Sequence, residues 1–189
     1  MVELPVPEYT NKSIEECILA RRSIRQFQDK DIPLSSISLL VWAAQGITAK
    51  RGFRAAPSAG ATYPLEIFLA KRDGLFRYIP QHHALKKEKT GDMRSEIAEC
   101  ALNQMFIADA GIVFVITGIF ERTTRRYGER GVQYVHNEVG HCAQNIHLAA
   151  VALGLGSVPI GAFNDGELKQ LLELDDERPL YIVPVGFPR

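Results

Sequence analysis

A single stripe of apolar side chains constrains the fold of this chain more than any other feature. Val132, Val135, Val139, Cys142, Ile146, Ala149 and Leu153 recur at alternating intervals of three and four residues. That spacing predicts one continuous face on a helix from about Gly131 to Leu153. The width of the face suits burial against a sheet or a partner helix. Gly154 stands where a left-handed cap belongs.

The remaining elements mix helices and strands without regular alternation. Ser13 and Glu16 form a capping box that opens a helix to about Arg22. Ser35 or Ser36, after Pro33, starts a second helix with Ile37, Leu40, Val41 and Ala44 on its apolar face, and Gly46 ends it. A loop rich in Arg, Ala and Gly covers 47–64. Leu65 to Lys71 reads as a strand, Asp73-Gly74 as a tight turn and Leu75 to Ile79 as the return strand. Asp92 to about Gln104 reads as a helix. Ile112 to Ile119 is apolar and β-branched, as a central strand requires. Ser157 to Phe163 forms a strand and turn, Asn164 or Asp165 caps a helix to about Leu172, and Leu180 to Gly186 is the last strand. This order predicts an α+β fold, a sheet layered by helices, rather than a doubly wound one.

Length and composition narrow the function classes. A chain of 189 residues with 46% apolar and 23% charged residues suits a single globular domain over 1–189. Its 22 basic and 22 acidic residues give zero net charge, so no broad field steers it to nucleic acid or a membrane surface. Basic residues cluster locally at 21–25, 50–54 and 122–130, which suggests a small anionic ligand; for 122–130 a solvated surface is the better reading. Cys17, Cys100 and Cys142 lie far apart among apolar residues and read as buried, inert thiols. No signal peptide or membrane span is apparent, and a cytoplasmic location is the default expectation.

Three segments carry chemistry. Arg21-Arg22-Ser23-Ile24-Arg25 ends a helix and continues extended; its guanidinium groups and serine hydroxyl suit phosphate oxygens. Ala56-Pro57-Ser58-Ala59-Gly60-Ala61-Thr62-Tyr63-Pro64 is a small-residue loop that lets backbone N–H groups approach a ligand. Gly154-Leu155-Gly156-Ser157-Val158-Pro159-Ile160-Gly161 superficially suggests a dinucleotide fingerprint, but the third glycine is misplaced and the helix precedes it. His136 and His141 are five apart and turned about 140° from each other, so no metal set converges there.

Together these segments resemble the flavin mononucleotide sites of the nitroreductase family, over roughly residues 18–188. The Pro-Ser-Ala-Gly loop is most similar to the SagB-type dehydrogenase branch. The resemblance implies a mainly antiparallel sheet layered by helices. It also implies an FMN-dependent oxidoreductase that moves hydride between a reduced donor such as NAD(P)H and a small organic acceptor. By resemblance, Arg21, Arg22, Ser23 and Arg25 hold the flavin phosphate and ribityl chain. The loop of Pro57, Ser58, Ala59, Gly60 and Thr62 reaches the flavin of the other subunit in a homodimer with shared sites. The backbone of Pro159, Ile160 and Gly161 faces the flavin ring, with an N–H toward N5. The ending Gly186-Phe187-Pro188-Arg189 matches a family pattern in which a basic residue contacts phosphate, although the carboxylate of Arg189 itself opposes that contact.

The resemblance also aligns Tyr127, Gly128, Arg130 and Tyr134 with a family pattern, leaving Tyr127 as the candidate acid or base. Peptide-dehydrogenase members carry a Lys-Tyr pair there; this chain has Arg126-Tyr127, and arginine is a poor proton shuttle. The alternatives are a peptide-azoline dehydrogenase, or a flavin-binding or storage protein without turnover. The Val132–Leu153 stripe is the expected dimer core, with part of it on the sheet. Segments 80–90 and 120–130 read as polar insertions between firm elements, either bordering the ring, with His82, His83 and Tyr127 as their acid–base groups, or serving as plain surface connections.

Overall fold

The computed structural model describes all residues from Met1 to Arg189. In chain order the elements are β1 (Val2–Glu3), α1 (Ile14–Ala20), α2 (Leu34–Gln45), β2 (Leu65–Lys71), β3 (Gly74–Ile79) and β4 (Ala84–Thr90). There follow α3 (Arg94–Cys100), β5 (Ile112–Gly118), α4 (Glu121–Tyr127), α5 (Arg130–Ala152), β6 (Gly156–Ser157), α6 (Asp165–Leu172) and β7 (Arg178–Gly186). The strands form one sheet in the order β1-β4-β3-β2-β5-β7-β6, and every pairing is antiparallel. No helix is long and apolar enough to cross a membrane.

Both faces of the sheet are covered, which is why its central strands are apolar throughout. In β2, Ile67 and Leu69 face one core while Phe68 and Ala70 face the other. In β5, Ile112, Phe114 and Ile116 alternate in the same way with Val113 and Val115. The first core is completed by α2, through Ile37, Leu40, Val41 and Ala44, and by α5. The second is completed by α3 and α6, through Ile97, Ala98, Leu168 and Leu172.

Local signals fix most of the helix ends. Ser13 and Glu16 make both bonds of the capping box, and the Asn164 side chain accepts from the N–H groups of Gly166 and Glu167. Gly154 takes φ +72° after α5, the left-handed conformation its position requires. Gly46 closes α2 by another route. Its φ is −63°, and a Cβ there would stand 2.4 Å from Cδ1 of Trp42. Close approach, not a left-handed turn, demands that glycine.

Four expectations are corrected. First, α1 stops at Ala20 rather than near Arg22. Ser23 bridges Ser157, and the Ile24 N–H donates to the Ser157 carbonyl at 3.1 Å, so a tertiary pairing replaces the last helical turn. Second, the stripe on α5 is not the core of a dimer. Val135, Val139, Cys142 and Ile146 are buried inside the chain against the sheet, with Ala149 and Leu153 packed beside them; Val132 alone is exposed. Third, 80–90 is no insertion: it holds β4, paired with β3 and β1. His83 is tied down there. Its Nδ1 lies 2.9 Å from the Tyr78 hydroxyl and its Nε2 lies 2.7 Å from Ser38 Oγ. Fourth, the 120–130 segment is mostly α4, which packs on α5.

Gly156 permits the approach of the 21–27 segment to the sheet, because a Cβ there would lie 2.8 Å from Cβ of Ile24. A β-branched side chain cannot swing that atom away. Gly156→Ala is expected to cost about 1–3 kcal/mol in urea unfolding. Gly140→Ala, inside α5 with open space around it, is expected to stabilise by about 0.5–1 kcal/mol. Equal and small effects at both positions would remove the close-packing argument.

Candidate functional site

Two groups of site residues emerge, on opposite flanks of α5. The first is an arginine corner. Arg21 is the C-cap of α1, and the chain then runs extended along β6. Phe27 bridges Pro188, and the Arg189 N–H donates to the Gln26 carbonyl at 3.1 Å. Arg21, Ser23, Arg25 and Arg189 are thereby gathered beside the chain that leaves β6 toward Pro159, Ile160 and Gly161. Arg21, Arg22 and Arg25 join none of the ion pairs of the molecule. Arg22 points elsewhere than expected: its guanidinium donates to the carbonyls of Leu19 and Arg21, closing the C-terminus of α1. The Arg25 guanidinium stands over the Phe106 ring at 6.0 Å.

The expected backbone donor is narrowed to one residue. Proline has no N–H, and the Ile160 N–H is engaged with the Ile182 carbonyl at 2.8 Å. Gly161 is exposed, and its N–H makes no bond within the chain.

Behind this corner stands His147, 2% exposed. Its Nε2 lies 3.1 Å from Arg21 Nη1 and its Nδ1 lies 2.5 Å from Ser157 Oγ. Burial, aided by the charge of Arg21, pushes its pKa down to about 4.

The second group is the 57–62 loop. Gly60, Ala61 and Tyr63 adopt φ of +60°, +54° and +47°, a costly run for residues that bear side chains. Ser58 Oγ accepts from the Tyr63 N–H at 2.9 Å, Thr62 Oγ1 lies 2.8 Å from Thr123 Oγ1, and Arg126 donates to the Gly60 carbonyl at 3.3 Å. Tyr127 belongs to this group. A Cβ on Gly60 would stand 2.5 Å from its hydroxyl, and its ring meets Tyr134 edge-on at 5.2 Å.

Beneath the loop lies Glu138, 2% exposed. Burial raises its carboxyl to about 7, against the pull of Ser58, Gln45 and Arg54. Its Oε1 has no hydrogen-bond partner, and neither has Gln45 Nε2. Gln45 Oε1 accepts from Arg54 at 3.1 Å. A cavity of about 250 Å³ opens here, between Pro57, Ser58, Ala59, Tyr134, Asn137, Glu138 and His141.

Within one chain the two groups do not meet. Glu138 and His147 are nine residues apart on α5, roughly 13 Å along the axis and half a turn around it. The sequence alone assigned a role to neither Glu138 nor His147. Each stands next to a stripe member, Val139 or Ile146, on opposite flanks of the apolar face, but so do His136 and His141, which are exposed, so adjacency to the stripe carried no signal.

These buried groups link stability to pH in opposite senses. The folded chain holds Glu138 near 7, above the free value of 4.5. It therefore binds a proton that the unfolded chain releases, and stability falls as pH rises from about 4.5 to 7. His147 is held near 4, below the free value of 6.5. The unfolded chain takes up that proton first, so stability is lost as pH falls from about 6.5 to 4. Each effect amounts to at most roughly 3 kcal/mol, and the two slopes cancel where their windows overlap. Relative to wild type, Tm of Glu138→Gln is expected to climb between pH 5 and 8. Tm of His147→Gln is expected to gain on wild type as pH drops from 6.5 to 4.5. A pH-independent difference for either variant contradicts its assignment.

Comparison with known proteins agrees with this architecture. The model of the nitroreductase family matches residues 18–187. A Methanocaldococcus jannaschii protein named "putative nitroreductase" is 44% identical over 98% of this chain and 96% of its own length. A Ralstonia eutropha crystal structure carrying the same description superposes with a TM-score of 0.90 at 28% identity, over all of this chain and 89% of the other. One from Anabaena variabilis superposes with a TM-score of 0.85 at 25% identity, and this chain spans 41% of that longer one. The chain belongs to the nitroreductase family of oxidoreductases.

Proposed function

We propose that this chain is an FMN-dependent oxidoreductase acting as a homodimer, with two flavin sites each completed by the partner subunit. The observation that carries the reading is the arginine corner. In a molecule of zero net charge, Arg21 and Arg25 stand beside an exposed backbone without a single carboxylate partner. A phosphomonoester carries the missing charge and the acceptor oxygens. Ser23 offers a hydroxyl in the same stretch, and Arg189 a further guanidinium. The unengaged N–H of Gly161 is the donor left for a flavin ring.

When bound, FMN supplies reversible two-electron hydride transfer, with NAD(P)H as the proposed donor and a small organic molecule as acceptor. The chain's own residues bind and orient. Arg21, Ser23, Arg25 and Arg189 hold the phosphate and ribityl end; Pro159 and Ile160 fix the backbone that presents Gly161. The 57–62 loop lies some 13 Å along α5 from this corner, so a second copy is needed to bring Pro57, Ser58, Ala59, Gly60 and Thr62 to it. Tyr127, lodged against Gly60, travels with that loop as the proposed proton donor. The exposed apolar side chains Val6, Tyr9, Ile14, Ile18 and Leu19 on the N-terminal arm and α1 offer a surface for the second copy.

The purified protein is expected to be yellow, to release FMN on acid treatment and to sediment as a dimer. Anaerobic bleaching by NADH or NADPH, and recolouring by a quinone or nitroaromatic, is the expected turnover. Failure with every pair leaves a flavin carrier instead. Arg21→Ala is expected to weaken FMN binding by about 2–4 kcal/mol, and Arg22→Ala by under about 1 kcal/mol, because its exposed guanidinium is engaged with its own helix. A colourless protein in saturating FMN sinks the cofactor assignment, and a dilute monomer that retains flavin sinks the shared site.

A further inference from the structure

We propose that His147 is the positioning residue of the arginine corner: as a neutral acceptor it orients Arg21 for an anion without neutralising it. The inference rests on the phosphate-binding reading above. Arg21 Nη1 and His147 Nε2 are 3.1 Å apart. A guanidinium has five N–H donors and no acceptor, so the shared proton belongs to Arg21 and Nε2 must present its lone pair. The imidazole proton then sits on Nδ1 and donates to Ser157 Oγ at 2.5 Å. Geometry alone thus fixes the tautomer. Arg21 is the charged group that faces the ring, from the end of α1; Ser157 faces it from β6. A cationic imidazole would put two positive charges side by side in a buried place with no carboxylate to balance them. The low pKa of His147 agrees with that constraint.

The choice of acceptor has a consequence. A carboxylate at this position would hold Arg21 equally well, but it would cancel the charge that attracts a phosphate. Imidazole gives direction and leaves the charge. Arg21 makes no other side-chain hydrogen bond in the chain, so its remaining N–H donors are free for a ligand. Ordering a long side chain in advance removes an entropy cost that binding would otherwise bear. Ser157 completes the brace. Its carbonyl takes the Ile24 N–H while its hydroxyl takes the His147 proton, so the strand bearing Ser23 and the side chain of Arg21 are held by one residue.

The test compares FMN with riboflavin, which lacks the phosphate, by flavin fluorescence titration of flavin-free protein. Wild type is expected to prefer FMN. His147→Leu should lose at least tenfold in FMN affinity and stay within twofold for riboflavin. His147→Gln, whose amide oxygen can accept from Arg21 while its NH₂ donates to Ser157, should recover most of the loss. In an Arg21→Ala background, His147→Leu should cost nothing further. Equal losses for both flavins, or an undiminished FMN preference in His147→Leu, overturn the positioning role and leave the phosphate site standing. A wild type that binds both flavins equally overturns the phosphate site, and this proposal with it. A long-range ¹H–¹⁵N correlation spectrum of wild type at pH 7 gives a readout without any variant. The neutral Nδ1–H tautomer is expected for His147; an Nε2–H tautomer or an imidazolium overturns the proposal.

Discussion

The burial of α5 against one face of the sheet is the constraint on which the rest of the molecule depends. Val135, Val139, Cys142 and Ile146 are fully enclosed there. Each large aliphatic side chain among them contributes about 1.5–3 kcal/mol by leaving water. That sum is of the same order as the ionisation cost carried by Glu138 and His147 on the two flanks of the helix, roughly 3 kcal/mol apiece where each shift acts in full. The helix can therefore hold two polar side chains where they would not otherwise go. At 23 residues it is also long enough to place one beneath the 57–62 loop and the other behind Arg21.

The two halves of the candidate site are built by different physics. The arginine corner is regular. An extended segment adds to a sheet edge, Gly156 gives it room, and its carbonyls and amides find ladder partners. The loop is irregular and strained, with Gly60, Ala61 and Tyr63 in the left-handed region, each non-glycine at a cost of order 1–3 kcal/mol. Side chains over-determine it: Ser58 Oγ accepts from the Tyr63 N–H, the Tyr63 hydroxyl accepts from the Arg54 backbone N–H, Thr62 Oγ1 meets Thr123 Oγ1, and Arg126 donates to the Gly60 carbonyl. Such a fixed conformation with small side chains suits close approach by a ligand or a second chain; a Cβ on Gly60 would press on the Tyr127 hydroxyl and the Arg126 guanidinium.

What was legible in the sequence follows the same division. Periodicity and caps located α2, β2, β3, β5, α5 and α6, because their signals are local and the structure satisfies them locally. The three segments with site chemistry were also legible as composition. Tertiary choices were not. The α5 stripe has the same spacing whether a sheet or a partner helix covers it. Residues 84–90 look like a surface insertion because Lys86, Lys87 and Lys89 are set on a strand whose outer neighbour is only two residues long. Lysines suit such an edge, since they discourage pairing with another chain. The end of α1 and the engaged N–H of Ile160 depend on strands far away in sequence, Ser157 and Ile182. Glu138 and His147 were hidden because a helix flank reads as polar until its neighbours are known.

Zero net charge conceals a segregation of the arginines by kind of partner. Arg72 is bound by Asp29 and Asp31, Arg77 by Glu177, Arg94 by Asp92 and Arg122 by Glu66. Those four are neutralised, and they join elements of the scaffold. Arg21, in the arginine corner, is held instead by His147 Nε2, which is an uncharged acceptor. The distinction is a physical one. A carboxylate partner fixes an arginine and cancels its field, whereas a neutral acceptor fixes it and leaves the field intact at the surface. Composition cannot express this difference, because it lies in which acceptor stands behind which guanidinium. It marks Arg21 as an arginine that the fold holds in place while keeping its charge available.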